Sequence, residues 1–177
     1  PTAYSEAATV DDMAAILQHL GIENAVIGGL SLGGYMSLAF NLAHPSMVRA
    51  LMLFDTGPGY KNPVGREGWN VTAMKRAHTF ETRGLDAQHR SAQGLAHAAR
   101  GLLAQFDSRI IESLEGIAVP TLVLVGEDDQ PFLGATDYMA KKIPGSKKVT
   151  IPAAGHAANL DQPAAFNAEV EKFLATL

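Results

Sequence analysis

Apolar residues recur along the chain with two different periods, and the switching between them predicts the order of elements. Between Thr9 and Gly21, the residues Met13, Ile16, Leu17 and Leu20 fall at i, i+3, i+4 and i+7, one stripe of a helix. Thr9 stands three residues before Asp12, the spacing of a capping box, and Gly21 stands where a left-handed glycine ends a helix. Ala25-Val26-Ile27-Gly28 is a short unbroken apolar run, the pattern of a strand buried on both faces. After a glycine-rich turn, Tyr35 to Ala43 reads as a helix halted by His44-Pro45. Val48 to Phe54 is a second buried strand. Thr121 to Val125 and Lys147 to Ile151 follow the same pattern, with a helix from Ala135 to Ile143 between them. Pro163 opens a closing helix that runs to Leu177.

From Thr56 to Val119 the pattern changes. Gly57, Pro58, Gly59, Pro63, Gly65 and Gly68 predict an irregular loop, followed by helical pieces over 70–83, 92–105 and 107–114. No strand signal returns before Pro120. The reading is a helical insertion at 56–119 within a core made of 1–55 and 120–177. Strands alternating with helices predict an α/β fold class, a mostly parallel sheet with helices on both faces.

Composition narrows the function classes. The 177 residues suffice for one domain with a substantial core, and 47% apolar with 18% charged residues is ordinary for a globular chain. A formal charge of −4 gives no basic footprint for nucleic acid or an anionic membrane surface. No apolar run approaches the roughly 20 residues of a membrane span, and no signal-peptide pattern opens the chain. The absence of cysteine removes disulfides, thiolate catalysis and cysteine zinc sites together. The expectation is a cytoplasmic protein acting on a small molecule, without nucleic-acid or membrane partners.

The segment Gly28-Gly29-Leu30-Ser31-Leu32-Gly33-Gly34 joins a predicted strand directly to a predicted helix. A phosphate loop would need Lys-Ser/Thr after its last glycine, where Tyr35-Met36 stand. The spacing does not supply the dinucleotide pattern G-x-G-x-x-G. Gly29-x-Ser31-x-Gly33 fits a nucleophile elbow, in which a serine sits on a sharp strand-to-helix turn. Side chains two residues to either side would collide with the turn, so both glycines are expected to be required. The Leu32 amide, at the start of the helix, is then the candidate oxyanion donor.

A serine hydroxyl needs a base to take its proton, and the base needs a carboxylate to fix its tautomer. Suitable residues follow the later strands. The strand ending at Val125 leads into Gly126-Glu127-Asp128-Asp129-Gln130-Pro131-Phe132, and the strand ending at Ile151 leads to Gly155-His156. Glu127, Asp128 and Asp129 are all candidate acids at this point. His19 and His44 fall at helix C-termini, while His78, His89 and His97 lie in the insertion without metal-ligand spacing.

These motifs in this order resemble the α/β-hydrolase superfamily, particularly its small esterase, enol-lactonase and cofactor-free haloperoxidase-like members. The resemblance covers nearly the whole chain but only the later part of the fold, a partial α/β-hydrolase fold with a helical cap insertion. It implies Ser31 as nucleophile, Asp129 as acid because the family spacing from Gly126 selects it, and His156 as base. Asp55 corresponds to the sixth-strand position that some members use instead. The family's second oxyanion donor follows a His-Gly pair, which this sequence lacks, and the resemblance implies that the N-terminal part of the fold is missing. The implied activity is cleavage of a carboxylic ester or lactone through an acyl-enzyme, without cofactor or metal. Haloperoxidase or perhydrolase chemistry would use the same residues. Leu30, Trp69 and Phe132 are the candidate pocket residues, with Met74, Phe80, Leu95, Leu102, Leu103 and Phe106 as further cap positions. A reading from a different class is an inactive remnant or fragment serving as an association module. Its exposed strand at 25–28 would pair with a second copy or a companion N-terminal segment.

Overall fold

The computed structural model describes residues 4–83 and 89–177. The strands β1 (Ala25–Leu30), β2 (Val48–Phe54), β3 (Thr121–Gly126) and β4 (Lys147–Ile151) form one sheet in the order β1-β2-β3-β4, and each neighbouring pair is parallel. Parallel neighbours need a crossover, and the helices supply it: α2 (Leu32–Ala43) returns the chain from β1 to β2, and α6 (Gln130–Lys142) from β3 to β4. Leu30 is opposite Phe54, Phe54 opposite Leu124, and Gly126 opposite Ile151, so all four carboxyl ends lie along one rim. The loops leaving that rim carry Ser31, Asp55, Asp129 and His156.

The pleat sends alternate side chains into two layers. On one side Leu51, Leu53 and Val123 pack with Leu38 and Phe40 of α2, Ile110 of α5 (Arg109–Ser113) and Met139 of α6. On the other, Ala50, Leu122 and Leu124 pack with Phe166 and Phe173 of α8 (Pro163–Leu174). Phe54 meets Phe166 edge-on there, with ring centroids 4.8 Å apart. β3 is buried along its whole length, as an unbroken apolar run between two covered faces requires. The α/β class with helices on both faces is therefore observed, and the strand boundaries differ from the expected ones by two residues at most.

Helix starts moved more. α1 (Glu6–His19) begins upstream of Thr9, because the Ser5 hydroxyl accepts the Ala8 amide at 3.2 Å and caps the helix first. Its sunken stripe is Val10, Met13, Ala14 and Leu17, whereas Ile16 and Leu20 are 59% and 61% exposed. Two overlapping stripes share Met13 and Leu17, and periodicity cannot choose between them. The helix ends where its sequence predicts: Gly21 has φ +67, with the Gly21 amide on Gln18 and the Ile22 amide on Leu17, a Schellman motif.

The segment before Asn70, expected as loop, is helical. α3 (Pro63–Arg83) starts on its proline, and the Asn62 carboxamide accepts the Val64 amide at 2.9 Å. Gly65 and Gly68 are absorbed inside it. α4 (Ala92–Ala98) continues into one wide turn over Ala99–Leu103 and stops short of Gln105. α6 begins at Gln130, before the expected Ala135, and a short helix, α7 (Ala158–Asp161), follows His156 unforeseen. None of the described helices is long and apolar enough to cross a membrane.

Candidate active site

β1 passes into α2 through a single residue, Ser31, held at φ 55 and ψ −118. A non-glycine residue there is strained, by roughly 1–3 kcal/mol, and persists only where its surroundings over-determine it. Two contacts do so: the Ser31 amide donates to the Phe54 carbonyl at 2.9 Å, and the Thr56 hydroxyl donates to the Ser31 carbonyl at 2.6 Å. The glycines on either side are not equivalent. A Cβ on Gly29 would lie 2.6 Å from the Gly33 carbonyl carbon, whereas a Cβ on Gly33 would meet nothing within 4 Å. The clash expected at Gly33 is absent; on the helical arm it is Gly34 whose Cβ would press on the strand, 3.0 Å from the Gly29 carbonyl oxygen. Leu32 is the first residue of α2, so its amide belongs to the first turn, whose N–H groups have no partner within the helix. With no acidic residue in that turn, the positive end of the helix dipole faces the site uncompensated.

The histidine loop brings the second group in. His156 Nε2 lies 2.9 Å from Ser31 Oγ, and His156 Nδ1 lies 2.9 Å from Asp129 Oδ2. A carboxylate can only accept, so Nδ1 carries the proton toward Asp129 and Nε2 is left to accept from the serine hydroxyl. The Asp129 side chain is 3% exposed and that of His156 is 44% exposed, so the carboxylate is sheltered while the imidazole reaches the cleft. Asp129 stands at the N-cap of α6 yet makes no capping bond with its side chain, which is turned to the histidine instead. The neighbouring acids point elsewhere. Asp128 is exposed, and Glu127 accepts the Ala153 amide at 3.3 Å. The Asp128 amide on the Ala154 carbonyl, at 2.8 Å, ties the acid turn to the histidine loop.

Asp55 reaches neither Ser31 nor His156 by a hydrogen bond among the described residues. It is fully buried at the end of β2, with φ +45, and its Oδ1 accepts the Gly126 amide at 2.7 Å. Burial pushes its carboxyl up to about 6; the Gly126 amide pulls it back, and the charge of Asp129 adds to the rise.

One cavity adjoins the serine and a second adjoins the first. A small one of about 30 Å³ lies against Ser31, Leu32 and Thr56, and a larger one of about 240 Å³ lies beyond it among Tyr60, Pro131 and Tyr138. Gly57, Trp69 and Phe132 line both and form the wall between them. The Trp69 indole N–H donates to the Leu103 carbonyl at 2.7 Å, which fixes its ring. Phe132 also stacks on the His156 ring, with centroids 4.9 Å apart and planes 25° from parallel. That contact has a faint sequence signal, since a residue three after Asp129 returns to the same side of α6. Leu30 packs with the Phe54 and Phe166 layer beneath the sheet and lines neither cavity. Leu102 and Leu103 line the smaller one. Met74 and Phe106 are 41% and 73% exposed, and Phe80 packs against α4. The Thr56 bond to Ser31, across β2, had no sequence signal.

A family model described as the alpha/beta hydrolase family matches residues 1–169. A candidate 2-succinyl-6-hydroxy-2,4-cyclohexadiene-1-carboxylate synthase of Bacillus subtilis (strain 168) is 28% identical, over 98% of this chain and 74% of that protein. A thermophilic esterase from Thermogutta terrifontis superposes with a TM-score of 0.80 at 28% identity, covering 97% of this chain and 72% of the esterase. MenH from S. aureus shares the fold with a TM-score of 0.86 at 23% identity, over 97% of this chain and 76% of MenH.

Proposed function

Because the chain belongs to the alpha/beta hydrolase family, we propose that it is a serine hydrolase cleaving a carboxylic ester or lactone, with Ser31 as nucleophile, His156 as general base and Asp129 as the acid that orients it. The observation that carries this reading is the unbroken chain of two 2.9 Å contacts from Ser31 Oγ through the imidazole to Asp129. His156 Nε2 takes the hydroxyl proton as Oγ attacks the acyl carbon, and Nδ1–H stays on the carboxylate. The Leu32 amide meets the developing oxyanion; one such donor is worth on the order of 10²–10³ in rate. The imidazolium then protonates the leaving alkoxide, and the acyl-enzyme is hydrolysed by a water that the same nitrogen activates.

The likeness to the thermophilic esterase supports the ester class. The shape of the site supports a short acyl group in the cavity of about 30 Å³ and an apolar or aromatic alcohol portion in that of about 240 Å³. The test is a fluorophosphonate probe. Ser31 is expected to be labelled and labelling lost in Ser31→Ala, with p-nitrophenyl acetate hydrolysis lost alongside. A wild-type chain that is folded, unlabelled and without esterase activity refutes the reading.

A further inference from the structure

Asp55 is a costly residue. Its carboxyl has no exposure, its backbone is left-handed at φ +45, and its Oδ2 makes no full hydrogen bond among the described groups, the Ala158 amide exerting only a weak pull on the carboxyl. An acid placed so lowers stability, because charge is taken out of water and only half of the carboxylate is satisfied. Nothing in the proposed chemistry uses it, yet its one good bond falls at a particular place. Oδ1 accepts the amide of Gly126, the last residue of β3 and the first of the turn that ends at Asp129.

Gly126 is the point where the two functional loops touch. A Cβ there would lie 2.3 Å from both the Ala154 and Gly155 carbonyl oxygens, so the backbone of the acid turn lies directly against the backbone leading to His156. The Gly126 carbonyl in turn accepts the Asp129 amide at 3.1 Å. The Asp55 backbone is anchored independently, by its amide on the Leu124 carbonyl at 2.9 Å. A rigid chain of contacts therefore runs from β3 through the Asp55 carboxyl to Gly126, and from Gly126 to Asp129. The charged groups felt at Asp55 are Asp129 on the acid turn and His156 on the facing loop.

We propose that Asp55 is a positioning residue that, by holding the Gly126 amide, sets the acid turn against the histidine loop and keeps Asp129 on His156. This rests on the hydrolase reading of Ser31, His156 and Asp129. The requirement is for an oxygen acceptor at Oδ1, and asparagine can supply one while alanine cannot.

The experiment compares Asp55→Ala with Asp55→Asn near pH 8 in the full chain. Three readouts are taken: kcat and KM for p-nitrophenyl acetate, the rate of fluorophosphonate labelling of Ser31, and the low-field proton resonance of the imidazole Nδ1–H. Asp55→Ala should lower kcat by at least about tenfold, in line with the cost of a small misplacement remote from the chemistry. KM should stay within about twofold, because no lining residue of either cavity is altered. Asp55→Asn should recover most of kcat, and the Nδ1–H resonance should be lost or broadened in the alanine variant alone. Equal kcat in wild type and Asp55→Ala overturns the proposal. So does equal impairment of both variants with the resonance intact, which would mark Asp55 as a matter of general stability. Should the alanine variant not fold, Asp55→Asn decides: near wild-type kcat with the resonance in place supports the proposal, and a loss of both overturns it. Wild-type protein that Ser31 probes do not label fails at the earlier step and takes this inference with it. Normal wild-type labelling with unaffected Asp55 variants sinks this inference alone.

Discussion

Replacing Asp55 with asparagine should remove a loss of stability with rising pH that the wild type carries. The Asp55 carboxyl sits at about 6 in the folded chain against an ordinary 3.8, with desolvation as the largest cause. A raised acid binds its proton more tightly in the folded than in the unfolded state, so the folded state holds the extra proton between those two values. Stability contributed by that proton is whole below pH ~4, declines as pH rises, and is gone above pH ~6. A difference of about two units corresponds to about 3 kcal/mol. Asparagine does not titrate. Relative to wild type, Asp55→Asn should therefore gain about 2 kcal/mol between pH 4.5 and pH 8, the remaining ~1 kcal/mol falling below that range, whatever constant cost its buried amide adds. Urea unfolding of both proteins at half-unit steps of pH measures this, with m-values checked for constancy. A stability difference that stays flat across that range, or slopes the other way, would refute the argument that Asp55 is a buried, largely uncompensated charge.

Two further substitutions test the elbow and the cavities. Gly29→Ala should lower kcat by at least about tenfold and destabilise by about 1–3 kcal/mol, since its methyl meets the Gly33 backbone. Gly33→Ala, opening onto free space, should cost under about 1 kcal/mol with near-normal turnover. Equal effects of the two on kcat and thermal unfolding would contradict a clash at Gly29 with none at Gly33. Trp69→Ala removes the wall between the two cavities and should favour longer acyl chains, by about threefold to fourfold for each methylene taken in. The ratio of kcat/KM for p-nitrophenyl octanoate over acetate reads this, and an unchanged ratio counts against the acyl assignment.

What the sequence disclosed followed from local rules. The four strands were legible because each is a short apolar run bounded by turn residues, and the parallel sheet followed from their alternation with helices. Ser31 and His156 stood out because each follows the end of a strand, where a parallel sheet gathers its loops; Asp129 was preferred to Glu127, Asp128 and Asp55 by the family resemblance, not by its position. The helix starts were less legible, since a start depends on which polar side chain bends back to an amide: Ser5 caps α1 ahead of Thr9, and Asn62 holds the Val64 amide ahead of the helix expected from residue 70. Choosing between Asp55 and Asp129 was a matter of where two buried carboxyls turn in space. Spacing says nothing of an amide that captures one of them across the sheet, as Gly126 captures Asp55. The Thr56 contact with Ser31 was hidden for the same reason.

The two borders of the sheet differ in kind. β4 carries Lys147 and Lys148, which reach Glu169 on α8 and Asp137 on α6 and so fence that border with charge. β1, reading Ala25-Val26-Ile27-Gly28-Gly29-Leu30, carries none, and no described strand lies along its outer side. A strand added to this sheet would meet less charge at β1 than at β4. Two copies meeting at β1 would run antiparallel about a twofold axis and finish as a closed pair with a guarded border at each end.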